Sequence, residues 1–296
     1  MLASSAAELY PCRACDGAGP EIFRKRGFAI AECAACGTRF VPRATADPMR
    51  YEEGYFAGRE AGGGYASYLD DRALVLANFD RRVRWLAPYA GGRRLLDVGA
   101  AYGLLLVAAR AHGFDGVGVE PVAACAAFAE RELGETVLSG RIEDLDLPPE
   151  SFDVATMLDV VEHFDDPRAA VRRVHSLLRP GGLLVVETGD LDALVSRACG
   201  KRWYFYDPPQ HVTFFSRRSL VAMLARAGFS APVAVASIGR AVSLRNFAYQ
   251  LGRALGEGPS GDLSRSIARS RLGELRFHVP DRGNAFAVAV RRLAGG

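Results

Sequence analysis

Four cysteines near the start of the chain stand in two closely spaced pairs. Cys12 and Cys15 form the first pair, Cys33 and Cys36 form the second, and 17 residues separate the pairs. Each pair can lie on a tight turn and present two thiolates to one tetrahedral zinc ion. Because four protein ligands leave no open position, the predicted site is structural. The alternatives are four free cysteines or a redox pair, although a redox motif would need only one pair.

A glycine-rich turn follows an apolar segment near residue 100. Gly99 and Gly103 come directly after residues 95–98, an apolar run that contains Asp97. Such glycines let a ligand approach the backbone at the carboxyl edge of a sheet. About 20 residues later the next apolar segment ends in Glu120, whose carboxylate can accept hydrogen bonds from two ribose hydroxyls. Together the turn and the acid predict a site for a cofactor that contains ribose.

Two histidines are candidates for a general base. His163 follows the fourth apolar segment, and His211 lies in a loop after an aromatic run at 203–206. A neutral imidazole can take a proton from a substrate near pH 7. The alternative for each is a histidine that packs in the core or caps a helix. The aromatic run at 203–206 is interpreted first as part of the apolar core. The functional alternative is that it stacks against a substrate.

Apolar segments alternate with helical patterns between residues 93 and 236, and this alternation predicts the fold. Continuous apolar strands joined by helices are typical of parallel sheets with both faces covered. The predicted class is therefore α/β: a Rossmann-like, mostly parallel sheet of seven strands with helices on both faces, preceded by a small zinc ribbon. The predicted strands are 94–98, 116–120, 136–138, 152–158, 183–187, 233–235 and 285–290. The predicted helices lie at about 103–112, 122–133, 167–178 and 217–227, with an earlier one that ends near Pro88.

The predicted organisation has three regions. Residues 1–47 are the zinc-ribbon module, 48–92 are a connector that ends in a helix, and 93–296 are the main domain. A helical insertion is expected at about 237–283. Its apolar positions could cover the substrate pocket or form the face of a homodimer, and the sequence leaves both open.

Composition excludes several classes of protein. The 296 residues are 49% apolar and 24% charged, which is ordinary for a globular protein. A net charge of +3 is too small to predict nucleic acid as a partner. No apolar run reaches the roughly 18 residues that span a bilayer, and residues 1–11 do not resemble a signal peptide. A soluble, cytoplasmic protein without a membrane partner is expected.

The motifs of the main domain, taken in order, resemble those of class I S-adenosylmethionine-dependent methyltransferases. Nicotinamide enzymes share the first turn but lack the later Glu-His pair and the Leu-Arg-Pro-Gly-Gly turn. The residues that carry the resemblance are 95–103, Glu120 and Pro121, 140–145, 152–154, 161–163 and 178–182.

The resemblance implies that S-adenosyl-L-methionine is the cofactor, and it assigns roles by position. Glu120 would hold the ribose hydroxyls, and Ala101 stands where the commoner pattern has glycine. The residues implied near the methionine, ribose and adenine are Asp97, Gly99, Ala101, Gly103, Glu120, Ile142, Glu143, Leu158 and Asp159.

A second resemblance involves the cysteines, the aromatic connector at 51–56 and the stretch 208–216. Some methyltransferases of this class, often associated with modified sugars or secondary metabolites, carry a four-cysteine ribbon before the catalytic domain. This implies methyl transfer to a small-molecule acceptor, sugar-like or a natural product, at oxygen, carbon or nitrogen. One alternative is an RNA or protein methyltransferase whose ribbon docks the macromolecule. Another is a scaffold that keeps the cofactor fold without catalysis.

Overall fold

The structure, a computed structural model, describes residues 8–42, 69, 71–245, 247–248, 266–267, 270–279 and 285–293. The aromatic connector at 51–56 lies outside these residues. The strands are β1 (Leu9–Pro11), β2 (Ala18–Lys25), β3 (Phe28–Glu32), β4 (Arg39–Phe40), β5 (Arg94–Val98), β6 (Asp115–Glu120), β7 (Thr136–Ser139), β8 (Phe152–Leu158), β9 (Leu178–Gly189), β10 (Thr213–Phe214), β11 (Ala234–Ala236), β12 (Arg240–Ser243), β13 (Arg276–Val279) and β14 (Ala285–Arg291). The α-helices are α1 (Arg72–Leu86), α2 (Leu104–Ala111), α3 (Ala123–Phe128), α4 (Pro167–Leu177), α5 (Leu194–Cys199) and α6 (Arg217–Arg226).

The large sheet has seven strands in the order β11-β14-β9-β8-β5-β6-β7. The five strands from β5 to β9 run parallel, whereas β14 pairs antiparallel with β9 and β11 pairs antiparallel with β14. This confirms the predicted seven-stranded, mostly parallel sheet. From β5 the sheet extends through β6 and β7 to one side, and through β8 and β9 to the other. The strand order therefore reverses between β5 and β8, and a crevice opens at their carboxyl ends, where such folds bind ligands.

Helices cover both faces of this sheet, and side chains cap the starts of two of them. Asp166 caps α4 by accepting hydrogen bonds from the amides of Arg168 and Ala169, each at 3.0 Å. Ser216 and Ser219 form a reciprocal capping box at the start of α6. The apolar side of α4 is fully buried against the sheet. Within the described ranges, no helix has the length and apolarity needed to cross a bilayer.

The small sheet contains β1 to β4 and, beyond them, β10. The first four strands belong to the cysteine-rich segment, whereas β10 comes from the main domain and pairs antiparallel with β4. The ribbon is therefore completed by a strand that lies about 170 residues later in the chain.

The insertion expected at 237–283 is not helical at its ends. Strands β12 and β13 pair antiparallel there, and the Asn78 side chain of α1 bonds both the carbonyl and the amide of Ala241, at 2.9 and 2.8 Å. Four-residue strands are too short for periodicity to reveal, and their pairing joins distant residues. Leu244 and Phe247 are in helical conformation, while most of the segment between the strands lies outside the described residues.

Candidate functional site

The four paired cysteines converge in the ribbon. The Sγ atoms of Cys12 and Cys36 are 3.7 Å apart, and those of Cys15 and Cys33 are 3.6 Å apart. All four sulfurs lie within 4.8 Å of one another, and none is in a disulfide. Sulfurs at about 2.3 Å from a tetrahedral zinc ion are separated by about 3.8 Å, so the donor set and its spacing fit zinc.

Backbone amides support these sulfurs. The amide of Ala14 donates to Cys12 Sγ at 3.3 Å, and that of Gly17 donates to Cys15 Sγ at 3.4 Å. Amide donors favour the thiolate form that binds a metal. A Cβ atom at Gly17 would lie 3.0 Å from Cys33 Sγ and 2.8 Å from the Ala35 side chain, so the close turn needs glycine.

The glycine-rich turn lies at the carboxyl end of β5, as predicted. Gly99 has φ +78°, and a Cβ atom there would lie 2.6 Å from the Val160 side chain. Gly103, with φ +74°, precedes α2. Ala101 also has a positive φ of +46°, a conformation that costs a residue with a Cβ atom about 1 kcal/mol. The position that departs from the commoner glycine pattern is therefore the strained one.

Glu120 ties this turn to the end of β6. Its Oε2 accepts a hydrogen bond from the Ala101 amide at 2.9 Å, and its Oε1 accepts one from the Val122 amide at 3.0 Å. Burial raises the pKa of the Glu120 carboxyl, although the two amides act in the opposite direction. The carboxylate thus fixes the turn and keeps further lone pairs for ribose hydroxyls.

Asp97 is the buried acid of β5. Its register partner on β8 is Thr156, whose hydroxyl donates to Asp97 Oδ1 at 2.7 Å. Burial raises the pKa of Asp97 to about 7, and the Thr156 hydroxyl opposes this shift. A cationic group beside Asp97 would favour its charged form. Thr156 was not predicted as a site residue, and the only sequence signal for it is a polar residue inside an apolar strand.

The remaining predicted cofactor residues follow the carboxyl ends of β7 and β8. Ile142 is buried, and Glu143 is half-buried with its Oε1 3.6 Å from Arg141. Leu158 ends β8, and Asp159 follows it with φ +52° and an amide that donates to the Glu187 carbonyl at 2.9 Å. The structure therefore brings all nine predicted residues to one edge of the sheet.

The two candidate histidines lie side by side, with ring centroids 4.7 Å apart. His211 Nδ1 is 2.7 Å from the Phe205 carbonyl, and His163 Nδ1 is 2.8 Å from the Gln210 carbonyl. Since a carbonyl only accepts, Nδ1 of His211 carries a hydrogen atom, and Nε2 is the basic nitrogen when this ring is neutral. Burial, reinforced by His211, lowers the pKa of His163 to about 3, so His163 stays neutral.

Two buried carboxylates, one beside the histidines and one near the carboxyl end of β9, were not predicted from the sequence. Glu162 is fully buried, accepts a hydrogen bond from the Thr188 hydroxyl at 2.9 Å, and has its pKa raised well above the ordinary value, chiefly by burial. Glu187 of β9 forms a buried, bidentate ion pair with Arg82 of α1, with 2.8 Å between Arg82 Nε and Oε2. An acid at the end of an otherwise apolar strand is the signal that could have found Glu187.

The fold and the site at its edge define the class of S-adenosylmethionine-dependent methyltransferases. A family model described as "Methyltransferase domain" matches residues 65–231, which is more than half of the chain. The chain belongs to this methyltransferase family.

Known proteins resemble parts of this chain. The ubiquinone biosynthesis O-methyltransferase of Bradyrhizobium sp. (strain ORS 278) is 37% identical over 127 residues, 41% of this chain and 49% of the relative. That of Azorhizobium caulinodans is 30% identical over 53% of this chain and 66% of the relative. The matched region thus spans about half to two thirds of these relatives. A SAM-dependent methyltransferase from Archaeoglobus fulgidus shares the fold, with a TM-score of 0.50 and 20% identity over 76% of this chain and 99% of that one.

Proposed function

We propose that this methyltransferase transfers a methyl group to a hydroxyl of a small-molecule acceptor, sugar-like or a natural product, with His211 as the general base. The observation that carries the proposal is the Nδ1 contact of His211 with the Phe205 carbonyl, which leaves Nε2 as a base. The names of the similar relatives, O-methyltransferases of ubiquinone biosynthesis, favour oxygen over carbon or nitrogen as the accepting atom.

The chain's residues have separate tasks in the proposed reaction. S-adenosyl-L-methionine, when bound, supplies an electrophilic methyl group. Asp97 and Glu120 would bind and orient this cofactor at the sheet edge, beside the turn 99–103. His211 Nε2 takes the proton from the acceptor hydroxyl, so that the oxygen is a better nucleophile at the moment of attack. His163, neutral and bonded to the Gln210 carbonyl, holds the loop that carries His211.

The charges of the ribbon favour a small acceptor over a macromolecule. A docking surface for RNA would need unpaired basic side chains. Instead Arg24 pairs with Glu21, Arg26 pairs with Asp207, and Arg39 bonds Glu32 and the Tyr206 hydroxyl. These arginines of the ribbon form ion pairs and hydrogen bonds within the protein, which supports a structural role for the ribbon.

We also propose that the four cysteines bind one structural zinc ion. The cysteines lie in two stretches between strands, residues 12–17 and 33–38, and a metal would hold these turns together. Purified protein should contain about one zinc per chain by elemental analysis. A Cys33→Ser variant with full stability and no metal loss would refute the assignment.

The function is tested in two stages. Calorimetry should detect binding of S-adenosyl-L-methionine, and a panel of phenols, sugars and nucleoside sugars should then be screened for methyl transfer from labelled cofactor. With the acceptor that is found, His211→Asn should lower kcat by about 10²–10⁴-fold and leave cofactor affinity unchanged. Unchanged turnover in His211→Asn would eliminate the proposed base.

A further inference from the structure

The ribbon and the loop that carries His211 share one apolar core. Ile30 and Val41 of the ribbon are buried with side chains from the loop and from β10. Those side chains are Trp203, Phe205, Tyr206, Val212 and Phe214. The aromatic run at 203–206 is therefore mostly core, and only Tyr204 is exposed, at 38%.

Backbone hydrogen bonds join the same two parts. Strand β4 pairs with β10 through Phe40 with Thr213 and Arg39 with Phe214. Just beyond this pair, the Val41 amide donates to the Val212 carbonyl at 2.9 Å. The residue after His211 is thus fixed directly by the ribbon.

Arg39 adds a side-chain link. Its Nε donates to Glu32 Oε2 at 2.6 Å, and its Nη1 donates to the Tyr206 hydroxyl at 2.6 Å. Glu32 is the cross-strand partner of Arg39, so the guanidinium is held on the ribbon and reaches across to the loop. The Phe23 ring packs edge-on against Tyr206, with 5.1 Å between centroids.

The link continues to the histidine within five residues. Tyr206 and Asp207 follow Phe205, whose carbonyl accepts the hydrogen bond from His211 Nδ1. The Asp207 carbonyl accepts from the amides of Gln210 and His211, at 3.0 and 3.1 Å. A shift of Tyr206 would therefore move both the carbonyl and the turn that orient the His211 ring.

We propose that Arg39 and Tyr206 are positioning residues through which the ribbon holds the His211 loop in its working conformation. The acceptor site is then built jointly by the ribbon and the main domain, whereas the cofactor site is built by the main domain alone. This inference rests on the proposed role of His211 only where it concerns turnover, because the positioning itself is measurable without an acceptor.

The test compares four variants of the full chain by amide hydrogen exchange at residues 205–212. Tyr206→Phe and Arg39→Gln each remove the link, Arg39→Lys keeps a donor for the tyrosine hydroxyl, and Arg24→Gln breaks an ion pair confined to the ribbon. Exchange of the His211 and Val212 amides should rise by about tenfold in the first two variants, and less in Arg39→Lys. It should stay at the wild-type rate in Arg24→Gln.

Turnover and cofactor binding supply the second readout. With an acceptor in hand, kcat should fall by about tenfold in Tyr206→Phe and Arg39→Gln and recover in part in Arg39→Lys, at unchanged affinity for S-adenosyl-L-methionine. Wild-type exchange rates at 205–212 in both link-breaking variants would overturn the inference. So would an equal increase in Arg24→Gln, which would indicate a general loss of ribbon stability. Failure of the proposed function is seen separately, as turnover that is insensitive to His211→Asn.

Discussion

Cofactor binding should depend on pH through Asp97. In the protein without ligand, burial raises the pKa of this carboxyl to about 7 from its ordinary 3.8. The cofactor carries a sulfonium and an ammonium group, and a positive charge near Asp97 stabilises the carboxylate. Binding below pH 7 therefore has to release the proton that Asp97 holds, and the affinity falls as the pH falls.

The size of the effect follows from the fraction of Asp97 that is ionised. With a pKa of about 7, that fraction falls by about 25-fold between pH 7.5 and 5.5, and the dissociation constant should rise by the same factor if only the ionised form binds. Stability of the free protein changes in the opposite sense. The raised pKa contributes stability that is fully present below about pH 4 and is lost as the pH rises through 7.

Calorimetry across this pH range in buffers of different ionisation enthalpy measures both the affinity and the proton release. Asp97→Asn is the matched control, because the amide oxygen can still accept from the Thr156 hydroxyl while the proton equilibrium is removed. The variant should bind more weakly and show only the pH dependence of the ligand and of Glu120. Identical pH profiles for wild type and Asp97→Asn would refute the reasoning.

Three further perturbations have definite expected outcomes. Arg82→Met should lower the free energy of unfolding, measured in urea, by about 3–5 kcal/mol, because it leaves Glu187 buried without its partner. The double variant Arg82→Met/Glu187→Leu should recover most of that loss, because it removes the unpaired charge. Ala101→Gly should raise stability by about 0.5 kcal/mol in the same assay, since it relieves a positive φ; a loss would indicate that the methyl group packs usefully. Zinc removal with a chelator should lower the Tm and red-shift the fluorescence emission of Trp203, which is fully buried beside the ribbon. An unchanged emission spectrum in metal-free protein would contradict the expected dependence of this core on the metal.

Local patterns predicted much of this protein. The alternation of apolar strands and helices, the turn from Gly99 to Gly103 and the cysteine spacing are short-range features, because each depends on residues within one or two elements. Parallel strands share a carboxyl edge, so the order of the motifs also predicted that Asp97 and Glu120 would lie together. Predicting that β5 lies beside β6 therefore needed no knowledge of distant contacts.

Only the tertiary structure determined the contacts between residues that are distant in the sequence. The pairing of β4 with β10, the link from Arg39 to Tyr206 and the buried pair of Arg82 with Glu187 join residues more than 100 positions apart. Which nitrogen of His211 is basic depends on the carbonyl that its ring meets in the folded loop. Sequence periodicity reports which face of an element is buried, but not which element covers it, so these contacts emerge only when the chain is folded.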